Sequence, residues 1–100
     1  MAIKGSTTSK GFTLTEAYVN IGVINFIKVP SAETELQVLF RLYKDEQTYK
    51  NAPLDAKNEY ALEVLTVCIN VNGVPPETYT QTAYTNLKTS PRFASFVDVN

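Results

Sequence analysis

Carboxylates supply the only acid–base chemistry this chain can attempt. Glu33 and Glu35 fall on one strand face, Asp45 and Glu46 are adjacent, and Glu59 and Glu63 are four apart. Glycoside hydrolysis needs two carboxyls held at a defined separation across a cleft. A chain of 100 residues has little room for both a core and a cleft. The three pairs are therefore read as solvated surface, and the protein as non-enzymatic.

The other reactive side chains are scarce. The sequence has no His, one Met and no Trp. Without His there is no Ser-His-Asp triad, no Cys-His dyad and no His-ligated zinc or haem within one chain. The single Cys68 cannot close an intrachain disulfide or complete a Cys-only metal site. Flanked by Val67 and Ile69, it is expected to be a buried thiol acting as a small hydrophobe. No cofactor or metal ion is expected.

Nine Lys and Arg against ten Asp and Glu give a net charge of -1. The basic residues are scattered among acids, so no stripe is set up for phosphate contacts, and nucleic acid is not an expected partner. The opening MAIKGSTTSK has no apolar run of signal-peptide length, no stretch is long enough for a membrane helix, and there is no N-x-[ST] acceptor. Synthesis in a reducing cytoplasm is expected, without membrane insertion.

The elements that must position these side chains are mostly strands of one domain, residues 1–100. Residues 1–11 are small and polar after Ile3, which reads as a hairpin loop or a flexible arm that orders on a neighbour. From Phe12 to Val29, Ala17, Val19, Ile21 and Val23 alternate with polar or small residues. The apolar side then passes to Ile24 and Phe26, and a glycine at the slip, Gly22, predicts a bulge. Pro30-Ser31-Ala32 ends this strand.

Glu35 to Lys44 is the clearest strand, with Leu36, Val38, Phe40 and Leu42 on one face, and it forms an antiparallel hairpin with the preceding run. Residues 45–58 read as a long loop with a short turn at Leu54–Lys57. Glu59 to Val71 reads as a strand with a parity slip near Val64-Leu65, closed by Asn72-Gly73.

One helix is expected after Val74. Pro75-Pro76-Glu77 suits a helix entrance, and Tyr79, Ala83 and Leu87 recur along one stripe. Ser90-Pro91 stops it, Phe93 and Phe96 fold back in a helical turn, and residues 97–99 form a tail or edge strand. The fold class is α+β, mainly β: three to four long antiparallel strands, as a sheet or small sandwich, with one short C-terminal helix and a following helical turn.

Six Tyr and five Phe are a high aromatic load, and 19% charged residues leave the strand edges poorly guarded. Both features suit contacts with other chains, so a homo-oligomer is expected. Loops carry recognition on a rigid sheet. The candidate partner contacts are thus Tyr49 and Lys50, an aromatic anchor with a polar rim, and Ser6, Thr7 and Thr8 of the N-terminal segment.

Two stretches carry a resemblance. Gly11-Phe12-Thr13-Leu14-Thr15-Glu16-Ala17-Tyr18-Val19-Asn20-Ile21 is similar to the opening strand of small virion proteins of tailed bacteriophages. Thr82-Ala83-Tyr84-Thr85-Asn86-Leu87-Lys88 and the following Phe93-Ala94-Ser95-Phe96-Val97-Asp98-Val99 resemble their closing helix and phenylalanine turn. The resemblance implies a structural component of the virion, tail- or baseplate-associated, working with copies of itself and other virion proteins. A capsid decoration protein and a small cytoplasmic module binding a host protein are the alternatives. No functional residue is transferred by the resemblance.

Overall fold

A computed structural model describes residues 2–28 and 34–99. The alternating run at its centre is strand β3 (Thr34–Tyr43). Leu36, Val38, Phe40 and Leu42 are all buried on one face, as their period of two requires. Strand β2 (Phe12–Lys28) pairs antiparallel with β3, and the register slips between Ile21 and Val23, placing the expected bulge at Gly22. The Pro30-Ser31-Ala32 connection and Glu33 lie outside the described residues.

The fold is α+β and strand-dominated, with one five-stranded antiparallel sheet in the order β4-β3-β2-β1-β5. The additional strands come from the chain ends. Residues read as an arm or hairpin loop form β1 (Ala2–Ser9), which lies between β2 and β5 (Val97–Val99). The β1–β2 turn is only Lys10-Gly11, with φ of 50° and 83°. Positive φ at both turn residues gives the twist that a two-residue hairpin needs. The polar Ser/Thr run is thus strand: Thr7, Thr8 and Ser9 pair with Leu14, Thr13 and Phe12 of β2, while β5 pairs with Ala2, Ile3 and Lys4.

Two further expectations are corrected. The expected slip at Val64-Leu65 is absent: β4 (Glu63–Asn70) pairs with β3 in continuous register from Leu42↔Glu63 to Glu35↔Asn70. The strand simply begins at Glu63, after Tyr60 has ended a helix. Residues 45–58, read as a loop, carry helix α1 (Glu46–Asn51), a 3₁₀ turn (Leu54–Ala56) and the start of α2 (Lys57–Tyr60). Asp45 nucleates α1 by accepting hydrogen bonds from the Thr48 amide and hydroxyl at 2.8 and 2.7 Å. These bonds, side chain first, hold the Asp45 carboxyl below its ordinary range.

The expected helix is α3 (Tyr79–Leu87), entered through a 3₁₀ turn at Pro76–Thr78. It buries Ala83, Tyr84 and Leu87 on the β3 face, where the Tyr84 and Phe40 rings meet edge to face at 5.6 Å. Beyond it the Phe93 amide donates to Ser90 and the Phe96 amide to Phe93, both at 3.0 Å. The two phenylalanines are buried against the same face. One principal core therefore lies between the sheet and the C-terminal segment. A smaller cluster on the opposite face joins Ala2, Tyr18 and Tyr43 to Tyr49 of α1.

Candidate interaction surface

The sequence-derived contact residues divide between the two faces of the sheet. Tyr49 belongs to the smaller cluster. Its ring stacks on Tyr18 at 5.2 Å and meets Tyr43 edge-on at 5.3 Å. The Lys57 ammonium lies 4.1 Å from the ring centre and donates to the Tyr49 carbonyl at 2.6 Å. Burial raises the Tyr18 and Tyr43 phenols above their ordinary value, and the Tyr43 hydroxyl donates to the Lys57 carbonyl at 2.8 Å. Tyr49 is thus a half-buried packing residue that clamps α1 to the sheet. Lys50 projects from the same helix and pairs with Glu46 at 3.2 Å.

Ser6, Thr7 and Thr8 stand at the far end of β1. Ser6 is exposed and donates to the Thr15 carbonyl at 3.2 Å. Thr7 accepts from Arg92 Nε at 3.3 Å, and the Thr8 carbonyl accepts from Arg92 Nη2 at 2.9 Å. The structure brings these three together with Arg92 around one shallow depression. Tyr49 and Lys50 are not part of it.

Arg92 is the residue that the sequence analysis overlooked. Its Nη1 donates to Glu63 Oε1 at 3.2 Å, and its Nη2 pairs with Glu63 Oε2. The Ser9 hydroxyl donates to that same carboxylate oxygen. The fork-on-carboxylate geometry and the Ser9 bond hold the Glu63 carboxyl below its ordinary value, the Arg92 bond contributing most. One guanidinium therefore ties the β1–β2 hairpin, the start of β4 and the phenylalanine turn together. No motif marks this cluster, because its members lie 54 and 29 residues apart.

The other carboxylates serve locally. Asp45 caps α1, Glu46 pairs along it, and Glu59 is exposed. Among the described residues, no group of three His, Cys, Asp or Glu is placed to hold a metal ion. None of their helices is long and apolar enough to cross a membrane.

The two sheet edges differ sharply. β5 is three residues long, and its Asp98 pairs with Lys88 at 2.7 Å. β4 is eight residues long, pairs only with β3 among the described residues, and has no charged side chain from Val64 to Asn70. Its side chains alternate. Leu65, Val67 and Ile69 turn toward the core, while Val64, Thr66, Cys68 and Asn70 are exposed. Cys68 is therefore an exposed thiol rather than a buried one, because the strand's parity puts it on the outer face. A groove lined by Leu65, Val67, Leu87 and Phe93, together with Arg92 and four neutral polar residues, runs beside this edge. Val23 is also exposed on the outer face, opposite Leu39 in the β2–β3 ladder.

No family model, curated protein or solved structure matches the chain.

Proposed function

We propose that the protein is a non-enzymatic structural component of a bacteriophage particle, tail- or baseplate-associated, assembling as a homo-oligomer on a larger virion protein. The observation that carries its assembling character is the β4 edge: a long strand, uncharged from Val64 to Asn70, beside a partly apolar groove. Chains that stay apart shorten, charge or cover such edges, as β5 does here with its three residues and its Asp98–Lys88 pair. Exposed Phe12, Phe26 and Val64 add apolar area of the kind that protein contacts cover. The resemblance of the opening strand and closing helix to small virion proteins supplies the particle as the setting.

Immunoelectron microscopy of purified particles with an antibody against the folded chain tests this reading. Label on the tail or its tip is the expected result. Label on the head shell would favour a capsid decoration protein. Absence of label from particles, with the antigen left in the soluble fraction of infected cells, would favour a module that binds a host protein.

A further inference from the structure

We infer that the free edge of β4 pairs antiparallel with β4 of a second copy, about a two-fold axis at Val67, joining two five-stranded sheets into one of ten. This inference rests on the homo-oligomeric reading above and names its interface.

The occupant is argued from the strand itself. An edge strand presents a row of backbone donors and acceptors that another strand can satisfy. A two-fold interface must be self-complementary, each residue meeting the partner of its own mate. The neutral run Val64–Asn70 has Val67 at its midpoint. An axis there sets Leu65 opposite Ile69 of the second copy and Val67 opposite Val67, all on the core side. On the outer side it sets Thr66 opposite Cys68 and Val64 opposite Asn70.

No charge meets a like charge, and on the core side Leu65, Val67 and Ile69 face apolar residues. The groove between β4 and the end of α3 receives the second copy's core-side residues, extending a surface already lined by Leu65, Val67, Leu87 and Phe93.

The lone thiol makes the register readable. Directly opposed strand residues have Cα atoms about 4.5–5.5 Å apart, within disulfide reach. With the axis at Val67, the two Cys68 residues are diagonal neighbours at roughly 7–8 Å, beyond it. The wild type should therefore resist oxidative dimerisation. Thr66→Cys should form a covalent dimer, with the introduced thiol of each copy bonded to Cys68 of the other.

The test combines mild oxidation and peptide mapping of both proteins with sedimentation velocity across a wide concentration range. The wild type should pass reversibly from monomer to dimer, and Thr66→Lys should weaken the dimer by about tenfold or more. Thr66 is exposed, so a far-UV circular dichroism spectrum should confirm that the lysine variant folds. Val97→Lys, on the opposite edge, should leave association unchanged.

A wild-type Cys68–Cys68 disulfide, or a dimer indifferent to Thr66→Lys whose Thr66→Cys form does not cross-link, would overturn this pairing. A chain monomeric at every concentration would also overturn it, while its presence in or absence from particles would still judge the broader reading separately.

Discussion

The Ser9 hydroxyl on β1 donates to the Glu63 carboxylate on β4, although β2 and β3 separate those strands in the sheet. Three strand spacings would hold the two about 14 Å apart in a flat sheet. The contact therefore reports that the β1–β2 hairpin coils across the core face. β2 makes this possible by outrunning β3: the ladder with β3 stops at Tyr18↔Tyr43, so residues 12–17 pair with β1 alone. A register shift between Gly5 and Thr7 supplies the bend, and Arg92 fastens the result.

This clasp should depend on pH. Glu63 titrates below its ordinary value of 4.5 in the folded protein, chiefly because of Arg92. A depressed carboxyl favours the folded state above the unfolded value, and that contribution is lost as pH falls through the folded one. Glu63→Gln should cost about 1–2 kcal/mol at neutral pH, a modest figure because both side chains remain partly exposed. Urea titrations should show the gap between variant and wild type closing as pH falls below 4.5. A gap constant down to strongly acidic pH would contradict the ionic character of the clasp.

Tyr84 should matter through its hydroxyl as well as its ring. The hydroxyl accepts from the Ile21 amide at 2.9 Å, beside the Gly22 bulge where the ladder slips. Tyr84→Phe removes that acceptor and should cost about 1–3 kcal/mol. Burial pushes the Tyr84 phenol up to about 12. A raised phenol stays protonated in the folded state while the unfolded chain ionises, so stability should fall as pH rises from 10 towards 12. Chemical denaturation of the phenylalanine variant should show a shallower alkaline loss.

Gly5 is required by contact rather than by its dihedral angles. A Cβ there would stand 2.7 Å from Phe96 Cδ1 and 3.0 Å from Phe96 Cα, so backbone as well as ring would have to move. Gly5→Ala should destabilise by about 1–3 kcal/mol, as overpacking does. A melting temperature equal to the wild type's would show that the phenylalanine turn shifts freely.

Tyr49→Ala should act on folding before it acts on partners. The ring packs on Tyr18 and Tyr43 and carries the Lys57 contact, so its loss should cost roughly 1.5–3 kcal/mol, less than a fully buried aromatic. Guanidinium unfolding would measure this. An unchanged midpoint would return Tyr49 to the role of a free anchor.

The sequence pattern was most informative where one face is apolar and the other is not. Leu36–Leu42 alternation, the Gly22 bulge, the α3 stripe and the Phe93–Phe96 turn are all local signals, read within a few residues. β1 was missed because its Thr and Ser side chains look like loop chemistry; it is strand through its hairpin with β2 and, at Ala2, Ile3 and Lys4, through β5 from the far end of the chain. α1 was missed because a single capped turn-and-a-half has little periodicity, and its stability comes from Tyr49 reaching Tyr18 and Tyr43. The Arg92–Glu63–Ser9 cluster could not be read at all, since it exists only once the hairpin coils. For the interaction surface, low charge along the strands did not say that β4 would be an edge. Strand order decides that, and strand order is set by pairings across the whole chain.

The proposed role makes this chain a built-in part of a virion. Quantitative mass spectrometry of density-purified particles, calibrated against a tail protein of known copy number, tests it most directly. The chain is expected at a fixed, multiple copy number per particle, retained through salt washing. A chain absent from purified particles, or present only in trace and variable amounts that washing removes, would contradict it.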